Sequence, residues 1–157
     1  MRTRCLLLCF AAAASAAAQN YAGPLPAKSD LPYLKHAENL VATEAAEAKE
    51  EKGKKDDVTY VIAGAASSAR TPLASPIFLL QFDKLVATKL SLYKLESRNG
   101  RREITFSPKK QPKNIRVELT HLNTSKLYRL EVEESLEPGE YAFSPDGSNQ
   151  VFCFQVY

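Results

Sequence analysis

Three side chains of this sequence have the chemistry that covalent or acid–base catalysis needs: Cys153, His36 and His121. A cysteine activated by one of the histidines can act as a nucleophile, so they suggest a small hydrolase or thiol enzyme. Cys153, however, lies between Phe152 and Phe154, and apolar neighbours keep a thiol protonated and buried. The sequence contains neither a Gly-x-Ser-x-Gly motif nor a glycine-rich phosphate loop. It therefore favours a protein without catalytic residues and leaves the thiol enzyme as the alternative.

Zinc is the metal that the two histidines would be expected to bind. His36, Ala37 and Glu38 match the His-x-Glu fragment of the zinc deaminases, but the Pro-Cys-x-x-Cys partner of that motif is absent. His121 is distant in the sequence, and nothing in the spacing of the two histidines requires a metal. The sequence predicts no metal site and no cofactor.

Basic side chains are concentrated in one part of the chain. Residues 98–116 contain seven bases against one acid, Glu103, whereas residues 131–146 contain six acids and no base. This asymmetry suggests a basic edge that binds an acidic protein, phospholipid head groups or an anionic envelope polymer. The same charges could instead keep a strand edge solvated or pair with the acidic stretch. The predicted basic edge consists of Arg98, Arg101, Arg102, Lys109, Lys110, Lys113 and Arg116.

Residues 1–18 have the three parts of a cleavable secretory signal peptide. Arg2 and Arg4 make the start positive, and the apolar residues 5–14 have signal-peptide length but are too short to span a bilayer. Small side chains at 15–18 precede a predicted cleavage before Gln19. We therefore expect an extracytoplasmic protein, either periplasmic or secreted.

Removal of this segment changes what the composition implies. The whole chain has a net charge of +3, and loss of Arg2 and Arg4 leaves the remainder almost neutral, so a nucleic-acid partner is not expected. Cys5 and Cys9 leave as well, so Cys153 has no partner for an intramolecular disulfide. No later apolar run reaches membrane-spanning length, so we expect no transmembrane segment in the mature chain.

The remaining chain divides into a lead-in and one domain. Residues 19–33 contain three prolines and one glycine, a composition typical of an extended linker. Residues 34–157 have the size of a single domain with its own core.

The segment 34–51 has two interpretations. Its Ala, Glu and Lys content favours a helix, whereas the β-rich segment Val58–Ala63 favours a hairpin with a loop at Glu51–Lys54. We predict the hairpin. Its register would place two attractive pairs across the strands, namely Glu50 with Lys55 and Lys49 with Asp56.

A second hairpin is predicted at Asn99-Gly100, between Leu90–Ser97 and Arg102–Ser107. Asn-Gly supplies the two positive φ angles of a type I′ turn, which suits a two-residue hairpin loop. Burial of one face then specifies the register. The predicted pairs are Leu95 with Ile104 and Tyr93 with Phe106 on the buried face, and Glu96 with Glu103 on the other.

Further strands are predicted along the rest of the chain. Residues 77–82 form a short apolar run, and apolar and polar residues alternate in 115–120 and 128–133. Turns at Pro138-Gly139 and at 145–148 precede the last two strands. Eight or nine short strands with little helix indicate an all-β fold, an antiparallel β-sandwich, because a single sheet would leave one face uncovered.

Residues 136–141, Leu-Glu-Pro-Gly-Glu-Tyr, resemble the tyrosine corner of immunoglobulin-like, Greek-key sandwiches. The resemblance implies that the Tyr141 hydroxyl bonds to the backbone of the preceding loop and that Val151–Val156 is the last strand. The chain has no Trp and no Cys pair, so it departs from the antibody-type domain. The chain also resembles small bacterial proteins of uncharacterised function that carry a signal peptide, chiefly at residues 147–154, which implies an exported β domain and no particular activity.

Together these features predict an exported, non-enzymatic, immunoglobulin-like β-sandwich that binds a protein or an envelope polymer. The alternative is a small extracytoplasmic hydrolase or thiol enzyme that uses Cys153 with His36 or His121.

Overall fold

The structure is a computed structural model that describes residues 21–122 and 126–157. These residues form thirteen β-strands and one short 3₁₀ turn, Ala87–Lys89, so the predicted all-β class is confirmed. The predicted signal peptide, residues 1–18, lies outside the described residues. The strands are β1 Tyr33–His36, β2 Asn39–Ala42, β3 Glu44–Glu47, β4 Lys49–Lys52, β5 Val58–Ala63, β6 Arg70–Thr71, β7 Ile77–Gln81, β8 Leu90–Arg98, β9 Arg101–Phe106, β10 Val117–His121, β11 Leu127–Val132, β12 Gly139–Pro145 and β13 Gln150–Val156.

The strands form two sheets. The five-stranded sheet has the order β10-β11-β7-β1-β2, and all its neighbours are antiparallel. The second sheet has the order β3-β13-β12-β8-β9-β5-β4, also antiparallel, with β6 added to β13 as a parallel strand. The two sheets pack on each other in the antiparallel, sandwich-like arrangement that the sequence predicted.

The main core lies between the two sheets. Phe78 and Leu130 from the five-stranded sheet meet Phe143 and Phe154 from the second, and all four have 0% exposed surface. The ring centroid of Phe78 lies 4.8 Å from that of Phe143 and 4.9 Å from that of Phe154, in edge-to-face geometry. Each such buried side chain contributes about 1.5–3 kcal/mol to stability, so this cluster holds the sheets together.

The second sheet closes on itself, a feature that was not predicted from the sequence. Strand β3 pairs with β13 at one end of the sheet and β4 pairs with β5 at the other. Only the buried Ala48 separates β3 from β4, so residues 44–52 form both ends. The N–H of Ala48 donates to the carbonyl of Asn149 at 2.8 Å. We call this the closed sheet; a second core lies inside it, including Ile62, Leu95 and Cys153.

The segment 34–51 is strand, as predicted, but it contains more strands than the single hairpin that was expected. Strands β1 and β2 form a tight hairpin around Ala37, which has a φ of 51°. Strands β3 and β4 follow immediately. These short strands explain why the total exceeds the eight or nine predicted.

The predicted register of the β4–β5 hairpin was wrong. Its loop spans residues 53–57, because Lys55 and Asp56 adopt φ angles of 60° and 65° and the Gly53 N–H donates to the Asp57 carbonyl at 2.7 Å. Neither predicted charge pair forms. The observed pairs are Lys49 with Val61, Glu50 with Tyr60, Glu51 with Thr59 and Lys52 with Val58.

The Asn99-Gly100 hairpin is confirmed. The two residues have φ angles of 53° and 76°, and Glu96 lies opposite Glu103 as predicted. Arg101 lies 2.9 Å from a Glu103 carboxylate oxygen and offsets the repulsion between the two acids. The paired ladder covers Glu96–Arg98 and Arg101–Glu103, and beyond it Tyr93 and Phe106 meet through their rings, whose centroids lie 5.5 Å apart.

Tyr141 lies in β12 and faces the main core, with 1% of its surface exposed. Its hydroxyl donates to the carbonyl of Glu137 at 2.7 Å. This is the bond that the resemblance to a tyrosine corner implies, and it ties the start of β12 to the loop before it.

Candidate functional site

Cys153 lies in the middle of β13 with 0% of its surface exposed. Its side chain belongs to the core inside the closed sheet, together with Leu95, Ala142 and Val151. Burial raises the pKa of the thiol to about 12, against the lowering influence of Arg102. A thiol in this state is neither accessible nor ionised at neutral pH, so this geometry does not form a nucleophile.

Each histidine has its own partner. The Nε2 atom of His36 lies 3.0 Å from the hydroxyl oxygen of Thr71, and His121 packs its ring on Tyr128 with 4.9 Å between the centroids. Within the described chain, no three His, Cys, Asp or Glu side chains converge in a way that would hold a metal ion.

Because Cys153 is buried, we expect it to resist thiol reagents in the native protein. With a pKa of about 12, on the order of one thiol in ten thousand is ionised at pH 8. Iodoacetamide treatment followed by peptide mapping should leave Cys153 unlabelled until denaturant is added. Rapid labelling of the native protein would contradict this burial and would revive the thiol-enzyme alternative.

Arg102 does not belong to the predicted basic edge, since none of its surface is exposed. Residues alternate between the two faces of a strand, so Arg102 shares a face of β9 with Ile104 and Phe106, inside the closed sheet. The Asn-Gly register already implied this placement, because it put Ile104 and Phe106 on the buried face. The basic-edge prediction nevertheless included Arg102, because it considered only the high density of basic residues in this part of the sequence.

Four other members of the predicted edge form ion pairs. Arg98 pairs with Glu96 and Arg101 with Glu51, at 3.3 and 3.2 Å. Lys113 pairs with Glu134 at 2.6 Å and Arg116 with Glu133 at 3.6 Å, so these two bases neutralise part of the acidic stretch. Lys109 and Lys110 are exposed and form no ion pair with the described residues. An anionic partner stays a prediction, and it now depends mainly on these two lysines.

Arg102 is the centre of a buried polar network that closes one end of the interior of the closed sheet. Two of its nitrogens bond to the two carboxylate oxygens of Glu44, at 2.7 and 3.2 Å. The third nitrogen, Nε, donates to the carbonyl of Gly64 at 3.0 Å, and Nη2, which also bonds to Glu44, donates to the carbonyl of Ala63 at 2.7 Å. A guanidinium that is bonded on several sides tolerates burial, so the network is a rigid structural element.

Glu140 is the least satisfied member of this network. One carboxylate oxygen accepts a bond from the Ser67 N–H at 3.0 Å and lies 3.8 Å from Arg102. The other oxygen, Oε1, has no hydrogen-bond partner in the described chain. Burial raises the pKa of Glu140, although Ser67 and Arg102 oppose the shift. Burial would also raise the pKa of Glu44, but the bonds from Arg102 and Ser68 outweigh it and lower that pKa.

A cavity of about 450 Å³ that is open to solvent on one side lies in the closed sheet and is lined mainly by apolar side chains. Its buried end is lined by Ile62, Leu95 and Val151. Its wall carries three half-buried aromatic rings, Tyr60, Tyr93 and Phe106.

The three rings have a defined mutual geometry. Phe106 makes edge-to-face contacts with Tyr60 and with Tyr93, with centroids 5.8 and 5.5 Å apart and interplanar angles of 85° and 83°. Edge-to-face pairs are mutually stabilising, so they hold the wall in place. Alternation along the strands places these rings inside the closed sheet. The predicted Asn-Gly register placed Tyr93 and Phe106 on a buried face, and no burial was predicted for Tyr60.

The turn between β12 and β13 forms the mouth of the cavity with Asp146, Ser148 and Asn149. The turn is fixed on two sides. The N–H of Asp146 donates to the carbonyl of Lys89 at 2.9 Å, and the carbonyl of Asn149 accepts from Ala48 at 2.8 Å. The cavity therefore has a closed base, an aromatic wall and an anchored polar mouth, a geometry suited to holding a small ligand.

Comparison of the chain with protein-family models, with curated proteins and with solved structures gave no match. In residues 21–122 and 126–157, no helix combines the length and the hydrophobicity that crossing a membrane requires.

Proposed function

We propose that this chain is an exported, non-enzymatic module with an immunoglobulin-like core, and that it binds a small ligand in the cavity of the closed sheet. Export to the periplasm or beyond is supported by the charge, length and side-chain sizes of residues 1–18. The observation that carries the binding function is the cavity itself.

The strand order supports the immunoglobulin-like part of the proposal. In that fold, strands D, E, B and A form one sheet and G, F and C the other. The order β10-β11-β7-β1 corresponds to D-E-B-A, and β13-β12-β8 corresponds to G-F-C with β9 as C′. Tyr141 then lies in strand F, where a tyrosine corner belongs. Strands β2 to β6 are an insertion between A and B, and three of them, β3, β4 and β5, close the second sheet.

The cavity supports a binding function because it is concave, with mainly apolar walls and a few polar groups at its mouth, as in typical ligand sites. A space of about 450 Å³ lies in the range of small-molecule sites. Its aromatic and aliphatic walls would bury the apolar body of a ligand, and its polar mouth would orient the rest. The buried, un-ionised Cys153 supports a function without covalent chemistry.

The fluorescent probe N-phenyl-1-naphthylamine tests the cavity, since it is neutral and emits more strongly in apolar surroundings. We expect saturable binding of one probe per protein, with a blue shift. Ser144 lines the cavity from β12, so Ser144→Leu should fill part of the space and abolish the signal.

Ser75→Leu is the matched control, because Ser75 is exposed in a loop away from the cavity. It should bind the probe as the unmodified protein does. Thermal unfolding of both variants establishes that they fold. Absence of saturable binding, or equal binding by a folded Ser144→Leu protein, would exclude the cavity as the site.

A further inference from the structure

The charge at the mouth of the cavity distinguishes between classes of ligand. Of the described residues that line the cavity, Asp146 alone is charged, and neither Lys nor Arg is among them. Asp146 is exposed and forms no ion pair in the described part of the chain. A ligand anion would enter without a compensating base and would meet a carboxylate of its own sign, whereas a cation would meet its opposite.

The aromatic wall also favours a positively charged ligand. The faces of aromatic rings carry the negative part of the ring quadrupole and attract cations that have shed most of their water. Tyr60, Tyr93 and Phe106 all line the cavity, and each residue is half-buried. Phe106 is nearly perpendicular to both tyrosines, so the wall presents rings in more than one orientation.

The apolar base of the cavity narrows the chemical class of the cation further. The base of the cavity is formed by apolar side chains and provides no carboxylate to pair with a compact, strongly hydrated ammonium group. An alkylated ammonium is weakly hydrated, and its carbon atoms add apolar surface that the wall can bury.

We propose that the ligand of this cavity is an alkylated ammonium cation attached to an apolar body, with the cation held by the aromatic wall and by Asp146. This inference rests on the proposed binding function. It specifies the charge and the chemical class of the ligand.

Three probes of nearly equal size test the inference by calorimetry and by displacement of N-phenyl-1-naphthylamine. Benzyltrimethylammonium is the cation, neopentylbenzene is its neutral isostere, and phenylacetate is the anion. We expect the cation to bind about tenfold more tightly than the isostere, and phenylacetate not to displace the fluorescent probe.

Asp146→Asn separates the contribution of the mouth from that of the wall. It should weaken binding of benzyltrimethylammonium about threefold and leave the neutral isostere unchanged. Asp83→Asn is the matched control, since Asp83 is exposed and does not line the cavity, and it should change neither affinity.

The outcomes distinguish this inference from the proposed function. If neopentylbenzene or phenylacetate binds as tightly as the cation while the fluorescent probe still binds, the cation preference is wrong and the cavity remains a binding site. If neither the fluorescent probe nor any of the three compounds binds, the binding function itself is wrong.

Discussion

Replacement of Arg102 by methionine is expected to lower the free energy of unfolding by about 3–5 kcal/mol. Methionine retains much of the apolar stem of arginine but removes the guanidinium. The carboxylate of Glu44 then loses both bonds from Arg102, at 2.7 and 3.2 Å, and the carbonyls of Ala63 and Gly64 lose their donors. Glu140 keeps its buried position without the positive charge nearby.

Urea unfolding followed by circular dichroism measures this loss. Arg116→Met is the matched control, because Arg116 is exposed and forms only a surface ion pair, with Glu133 at 3.6 Å. An exposed pair contributes little, so the control should lose less than about 1 kcal/mol. Equal losses in the two proteins would mean that the Arg102 network contributes no more than a surface ion pair.

The elements that the sequence predicted well are those with strong local determinants. Asn99-Gly100 requires positive φ angles, and the alternation around it has a single register that buries the apolar face. The β4–β5 hairpin lacked such a determinant. Its loop contains several charged residues that can occupy either a strand or a turn, so attraction between Glu50 and Lys55 was a weaker guide than the positive φ angles of Lys55 and Asp56.

The closed sheet and its cavity depend on contacts between distant parts of the chain. Glu44, Arg102 and Glu140 are each ordinary charged residues in sequence, and only the closure of the sheet brings them together. The basic-edge prediction counted charges along the chain and ignored the two faces of β9. Applying the Asn-Gly register to every residue of β9 would have placed Arg102 inside, although its partners would still have been unknown.

Glu44→Gln is expected to destabilise the protein by about 2 kcal/mol at pH 7, because it removes the charge from bonds that Arg102 and Ser68 donate. Those bonds lower the pKa of Glu44 in the folded state. Its contribution is therefore present above the unfolded-state pKa and is lost as the pH falls through the folded-state value. The difference in unfolding free energy between the unmodified protein and the Glu44→Gln variant should therefore shrink below about pH 4.5.

Glu140→Gln is expected to have the opposite effect on the free energy of unfolding at pH 7. Burial raises the pKa of Glu140, so the folded state prefers the protonated form, and stability is lost as the pH rises through the folded-state pKa. A glutamine can still accept the bond from the Ser67 N–H, now 3.0 Å long, and it removes the cost of burying a charge. We therefore expect the variant to be more stable than the unmodified protein at pH 7, and this advantage to disappear in acid.

Urea unfolding of the unmodified protein, Glu44→Gln and Glu140→Gln between pH 3 and pH 8 tests both predicted pH dependences. Each substitution serves as the control for the other. The two residues contact the same guanidinium, yet their pKa shifts have opposite directions, because Glu44 has bonds to both oxygens whereas Glu140 has one unsatisfied oxygen. A loss of stability in both variants at pH 7 would show that the Glu140 carboxylate is stabilised by Arg102 across 3.8 Å in spite of its burial. The network would then be a fully ionised triad, in place of one strong pair beside a carboxyl group that favours its neutral form.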